Sequence, residues 1–216
     1  MADPAAPIES APRALAIAPT MPLALRGDAP ASNYAPSALP QASGDFLDRV
    51  ERLYGEDAQL ASLYSKALET RAMAADNGLK NLRDAQKAGE LTASLMQGSD
   101  GARLAMIELS GWDTHANQRG AFARPARNLD AMLGAYADAM GSEWSNTLVL
   151  VATEFGRTAR YNGTNGTDHG TASAALVMGG AVRGQRVVAD WPGLGANQLN
   201  QNRDLRPTTA LDIVLA

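Results

Sequence analysis

Residues 103–115 read RLAMIELSGWDTH. Leu104-Ala105-Met106-Ile107 and Leu109 make an apolar run nearly unbroken by polar side chains, the pattern of a buried strand in a parallel sheet rather than one with a wet face. The run passes directly into Ser110-Gly111-Trp112-Asp113-Thr114-His115, which puts a carboxylate and an imidazole just past the strand's carboxyl end. Downstream, Leu129, Met132, Leu133, Tyr136 and Met140 recur at helical spacing and predict a helix over 127–140. Residues 147–152 (TLVLVA) and 174–178 (AALVM, closed by Gly179-Gly180) predict two more strands. Strand–helix–strand with continuous apolar strands predicts an α/β fold with a mostly parallel sheet covered by helices on both faces.

In such sheets ligands bind where the loops converge at the carboxyl ends of the strands. Gly111 to His115 follows the first strand and Thr153-Glu154-Phe155-Gly156-Arg157 follows the second. The stretch 163–170, GTNGTDHG, precedes the third, and its glycines at 163, 166 and 170 allow the loop to fold back over the strand ends. Asp113 and His115 are two residues apart, so in an extended segment they point the same way and can converge on one ion. A carboxylate with an imidazole suits zinc, manganese or iron better than calcium, which favours an all-oxygen shell. Glu154 is a candidate third ligand, and Asp168 and His169 are candidates to complete the shell or to orient it. Arg157 can pair with an anionic substrate or with Glu154.

Plainer roles compete at each position. Asp113-Thr114-His115 can be a turn, Glu154 and Arg157 a local ion pair, and Trp112 and Phe155 packing residues. A serine triad is the chemical competitor, but neither Ser110 nor Ser173 lies in a Gly-x-Ser-x-Gly elbow. Residues 162–167, NGTNGT, lack the lysine of a phosphate-binding loop and do not open a helix.

Composition narrows the chemistry. The 216 residues are 45% hydrophobic, enough for one domain with a real core. A net charge of -4 and a pI near 5.2 give no basic field, which argues against a nucleic-acid partner. With no cysteine, thiolate ligands and disulfides are excluded. The chain has only two histidines, and both stand close to aspartates, in Asp113-Thr114-His115 and Asp168-His169. No apolar run approaches the roughly 18 residues of a membrane helix. The opening MADPAAPIES lacks the basic and apolar regions of a signal peptide.

Residues 1–42 are rich in proline and alanine, which forbids a long helix and predicts an extended segment, with 15–18 and 21–25 as possible short strands. The remainder, 43–216, divides into a helical part (43–98) and a sheet and metal-site part (99–216). Phe46, Leu47, Val50, Leu53 and Tyr54 predict a helix capped by Ser43 or Asp45, and Gly55-Glu56-Asp57 interrupts it. Leu60, Leu63, Tyr64 and Leu68 predict a second helix ending near Asn77-Gly78. A shorter helix is predicted over 91–96, and Pro207-Thr208-Thr209 reads as the start of a last one.

GWDTHANQ, TEFGRTARYNGTNGTDHGTA, GGAVRGQRVVADWPGL and RDLRPTT resemble the bacterial family called domain of unknown function 1501, and the likeness extends upstream through IAPTMPLALRG and the two helices. That family is similar to the alkaline phosphatase-like superfamily of sulfatases, phosphodiesterases and cofactor-independent phosphoglycerate mutases. The resemblance implies a three-layer α/β/α domain with one or two divalent metals (zinc, manganese or calcium) acting on a small anionic phosphate or sulfate ester. On it, Asp113 and His115 match the superfamily's Asp-x-x-x-His metal pair with shorter spacing, and His169 matches its last histidine ligand. Glu154-Phe155-Gly156 stands where relatives carry Asp-His-Gly, so Phe155 replaces a ligand and a second metal site is incomplete. Taking Asp168-His169-Gly170 as the Asp-His-Gly motif fits the letters but not the position after a strand. Members are usually about twice this length, with the nucleophile and an aspartate ligand upstream, and are exported through a twin-arginine signal. The chain is therefore expected to be a C-terminal fragment, incomplete on its N-terminal side and inactive alone. The alternative is a degenerate, non-catalytic member that keeps the site for structure or partner binding.

Overall fold

Strand β1 (Ala14–Ile17) lies between β2 (Ala31–Tyr34) and β3 (Leu104–Met106) in a parallel sheet of order β2-β1-β3. The computed structural model describes residues 14–37, 42–74, 82–99 and 101–210. These form an α/β protein of two compact units. The first holds the described residues up to Glu108 together with Leu129–Gly141; the second holds Leu109–Asn128 and the described residues from Ser142 onward.

In the first unit the central strand is the buried one. Leu15, Ala16 and Ile17 are at most 1% exposed, as expected of a strand flanked on both edges and covered on its faces. Leu15 and Ile17 pack with Leu91, Leu95 and Ala102, and Tyr34, Leu82 and Ile107 close around them. Burying each of these large side chains contributes about 1.5–3 kcal/mol. Leu91 and Leu95 come from α3 (Ala85–Met96), which is capped by Asp84 accepting from the Lys87 amide at 3.2 Å. Before it, α1 (Gly44–Tyr54) and α2 (Ala58–Ala74) pack as a hairpin. Ser43 caps α1, and Asp57 accepts from the Gln59 and Leu60 amides at the start of α2. The Tyr64 hydroxyl, on α2, donates to the Leu47 carbonyl at 2.8 Å, and its ring meets Tyr54 edge-on.

Helix α4 (Gln118–Met140) contributes its later part to the same unit, with Met132, Tyr136 and Met140 buried. Gly89 of α3 lies against it so closely that a Cβ would stand 2.3 Å from the Met132 carbonyl oxygen.

The second unit carries two short ladders. β4 (Val149–Val151) pairs antiparallel with β7 (Leu176–Met178), and β5 (Gly156–Arg157) pairs antiparallel with β6 (His169–Gly170). The apolar runs at 147–152 and 174–178 are thus strands, as expected, but they pair with each other in opposite directions. They are also open: Leu150, Leu176 and Val177 are 39%, 53% and 42% exposed. An apolar run signals a strand, whereas direction depends on how the intervening chain returns, here through β5 and β6.

Other elements differ in extent. The short strand considered at 21–25 is a 3-10 turn, Leu23–Leu25, because Pro22 (φ -59°) presets a turn closed by the Leu25 amide on the Pro22 carbonyl. The helix expected over 91–96 begins six residues earlier, at Ala85, where Asp84 supplies the cap. The helix expected from 127 begins at Gln118 and runs through Pro125, losing one backbone bond there. Residues 207–210 are irregular, so no helix opens at Pro207, and 211–216 lie outside the described residues, as does the cap expected near Asn77-Gly78. Among the described residues no helix is long and apolar enough to cross a membrane.

Candidate metal centre

The site is assembled from two loops of the second unit. Residues 109–117 approach it as irregular chain. Gly111, at φ +98°, makes a bend that a side chain would strain, and it lies under Pro125. Trp112 packs edge-on against Phe122 at 5.5 Å, a packing role that fixes the entry to Asp113. Beyond it, the loop 162–167 is laid alongside. The Asn117 and Gln118 amides donate to the Thr164 and Asn165 carbonyls, and the Thr167 amide donates to Thr114. Asn165 takes a left-handed conformation (φ 54°), which asparagine tolerates better than most residues. Gly166 is forced by proximity, since a Cβ there would stand 2.1 Å from the His115 carbonyl carbon and oxygen.

The second loop is ordered by the β5–β6 ladder, in which Arg157 stands directly opposite His169. Directly opposed residues of an antiparallel pair project to the same face, and both side chains reach Asp113. Its Oδ1 lies 2.9 Å from His115 Nε2, 3.0 Å from His169 Nε2 and 2.5 Å from Arg157 Nη1. Arg157 is further held by Nε donating to Thr167 Oγ1 at 2.9 Å and Nη2 donating to the Thr167 carbonyl. Thr167 Oγ1 in turn donates to Gln118 Oε1, which also accepts from the Thr114 hydroxyl. The guanidinium holds the Asp113 carboxyl below its ordinary range, opposed by partial desolvation and aided by the His169 contact.

Asp113, His115 and His169 each bring one ligand atom into a group whose members lie within 4.8 Å of one another. Two donors bound at about 2.0–2.1 Å to one tetrahedral ion stand roughly 3.3 Å apart. The two carboxylate–imidazole separations here are close to that, and the chemistry of one oxygen and two imidazole nitrogens suits a divalent transition ion. All three side chains are about half exposed (53%, 49% and 53%), so a ligand can reach the group from solvent.

Asp168 stands on the far side of His115, with Oδ1 3.5 Å from Nδ1. Asn162 Nδ2 donates to Asp168 Oδ1 at 3.0 Å, and Arg203 Nη1 lies 3.2 Å from Oδ2. The Asn162 bond is the main reason the Asp168 carboxyl is held low. Phe155 stacks on the His169 ring at 4.2 Å and 15°.

Of the five residues expected as ligands, the fold gathers Asp113, His115 and His169. Glu154 and Asp168 lie outside that group. Arg157 pairs with Asp113 rather than with Glu154, and its side chain is largely covered, 18% exposed. Ser173 shares a hydroxyl–hydroxyl hydrogen bond with Thr153. Sequence reasoning missed Asn162, Thr167 and Gln118, which hold the two loops together. The repeated Asn-Gly-Thr of 162–167 was the available signal, since asparagine side chains that bond the backbone two residues on build such turns. Asn162 Oδ1 does this with the Thr164 amide and also takes the Gly166 amide.

One family model, described as Protein of unknown function (DUF1501), matches residues 27–212. No curated protein and no solved structure matches the chain.

Proposed function

From the premise that the chain belongs to the DUF1501 family, we propose that Asp113, His115 and His169 hold a divalent metal of the zinc or manganese class and serve hydrolysis of a phosphate or sulfate ester. The observation that carries this reading is the convergence of one carboxylate oxygen and two imidazole nitrogens at a solvent-facing point. A divalent ion there supplies Lewis acidity and neutralises charge on an anionic ester. Asp113 brings the negative charge that favours a cation over a neutral ligand. Arg157 keeps that carboxylate ionised and aimed, acting on the site through Asp113 rather than as a free anion clamp. The half-exposed imidazoles leave room for a small anionic substrate on the open side. The likeness to the alkaline phosphatase-like superfamily supports the ester chemistry and a three-layer α/β/α domain, and the resemblance to the family's exported members supports export from the cytoplasm.

A second reading, a non-catalytic member that keeps the site, with or without metal, for structure or partner binding, is favoured by Phe155. It stacks on His169 at the position where the likeness would require another ligand.

Elemental analysis of the full-length protein, then ester screening with and without chelator, separates these. The first reading expects stoichiometric metal that is lost in Asp113→Ala, His115→Ala and His169→Ala, with turnover that chelator removes and metal restores. Absence of stoichiometric metal sinks the first. Bound metal without turnover on any phosphate or sulfate ester selects the second.

A further inference from the structure

Asp168 and Asn162 have no part in the metal reading above, yet they are tied to His115 from two directions. The Asn162 side-chain amide donates both to Asp168 Oδ1 at 3.0 Å and to the His115 carbonyl at 2.9 Å. The Asp168 carboxylate is thereby tied to the backbone of the residue whose imidazole it faces. Thr164 adds a second bond to the same carbonyl, its hydroxyl donating at 2.7 Å. Arg203 engages Oδ2, so with Asn162 on Oδ1 both carboxylate oxygens are held, and the Asp168 backbone amide donates to Thr158 Oγ1. Its remaining direction faces His115 Nδ1, while Nε2 of the same ring faces Asp113.

The two ring nitrogens must differ for the ring to ligate. One carries the proton and the other offers its lone pair, and the partner of the first decides which is which. A carboxylate at Nδ1 stabilises the proton there and directs Nε2 outward. We infer that Asp168, held by Asn162, is a positioning residue that keeps the His115 proton on Nδ1 and thereby presents Nε2 to the ion; this rests on the metal reading of Asp113, His115 and His169. Asp168 is thus assigned the orienting role and not a place in the ligand set. The motif NGTNGTD, which resembled no phosphate loop, acquires a purpose as the brace of His115. The 3.5 Å separation of Nδ1 and Oδ1 is long for a hydrogen bond, so the inference carries an observable consequence: the contact tightens when Nε2 is ligated.

The test uses zinc alone as the probe, with competition against a chromophoric chelator. Asp168→Ala weakens zinc binding by about 10–100-fold, the usual effect of removing such a partner, and the isosteric Asp168→Asn falls between it and wild type. Circular dichroism confirms that each variant is folded. Unchanged affinity in Asp168→Ala would overturn the inference, and so would complete loss matching Asp113→Ala, which would make Asp168 a ligand. A second readout does not involve metal. In protein labelled with nitrogen-15 at histidine, Asp113→Ala removes the competing acceptor at Nε2, and His115 then shows an Nδ1–H ring. In Asp113→Ala/Asp168→Ala that pattern is lost. If wild type binds no zinc, the metal reading fails by itself. The labelled-ring pattern still decides whether Asp168 holds the Nδ1 proton, and no difference between the two variants refutes it.

Discussion

Arg157 Nη1 stands 2.5 Å from Asp113 Oδ1, joining two loops that are 44 residues apart in sequence. The same oxygen faces both histidines of the chain. A carboxylate so surrounded stays ionised, and its direction is set by the guanidinium, which Thr167 holds at Nε and Nη2.

That pairing has a pH signature in chelator-treated protein. The Asp113 carboxyl is held below its ordinary range, chiefly by Arg157. A group depressed on folding contributes stability above its unfolded pKa and loses it as pH falls through the folded one. A double-mutant cycle of Arg157→Gln and Asp113→Asn should therefore show favourable coupling near neutrality that fades in acid, below about pH 4. Denaturant midpoints across pH measure it. Coupling that is independent of pH would mean the pair contributes no charge-dependent stability.

Gly166 and Gly163 belong to the same loop but have opposite surroundings. A Cβ at Gly166 would stand 2.1 Å from His115 backbone atoms, whereas at Gly163 nothing lies within 4 Å. Gly166→Ala should cost about 1–3 kcal/mol by forcing the loop off the His115 segment. Gly163→Ala should stay within about 0.5 kcal/mol of wild type. Thermal denaturation of both variants checks the contrast, and equal effects would contradict the packing described for this loop.

A similar comparison tests the first unit. Alanine is favoured over glycine inside a helix by about 1 kcal/mol. At Gly134 in α4, where a Cβ meets nothing within 4 Å, that preference should win and Gly134→Ala should stabilise. At Gly89 a Cβ would stand 2.3 Å from the Met132 carbonyl oxygen and 2.9 Å from the Tyr136 amide nitrogen. Both are rigid backbone, so the clash outweighs propensity and Gly89→Ala should destabilise by about 1–3 kcal/mol. Guanidinium titrations give both signs.

Leu95, fully buried against Leu15 and Ile17, should cost about 2–5 kcal/mol when cut to alanine. Leu53, 75% exposed on α1, should cost well under 1 kcal/mol. Urea unfolding curves compare the two, and similar losses would contradict the core assignment.

The Tyr64 phenol gives the alkaline counterpart. Its pKa is raised from 10.0 by desolvation first, then by Glu51 and Asp48. A group raised on folding contributes stability that is complete below its unfolded pKa and is lost as pH rises through the folded one. Difference-absorbance titration should show a late-ionising phenol, and Tyr64→Phe should remove it. An unchanged titration in Tyr64→Phe would show that Tyr64 is not that tyrosine.

Much was legible in the chain by itself because it depends on local chemistry. Asp113 and His115 could be paired from their two-residue spacing, and His169 was the one other imidazole available. Ser43 or Asp45 could be named as the α1 cap because such a side chain ahead of a helical repeat satisfies free amides wherever the helix then packs, and the structure selects Ser43. The apolar runs at 147–152 and 174–178 marked strands for the same reason, as each is defined by its own side chains. The run at 104–109, read as a buried strand, pairs only over Leu104–Met106 and leaves Leu104 and Leu109 49% and 38% exposed, because β3 has a neighbour on one side only among the described residues. Tertiary structure alone decided what those pieces meet. Residues 14–17 became the central strand of the parallel sheet although they lie in a proline-rich stretch, because β2 and β3 both pair with them. β4 and β7 came together antiparallel because direction is set by the returning chain. Arg157 reached Asp113, and Glu154 was left out, because the β5–β6 register turned Arg157 and His169 to one face. Spacing along a chain determines which atoms can point the same way; only pairing between distant segments determines which of them share a point in space.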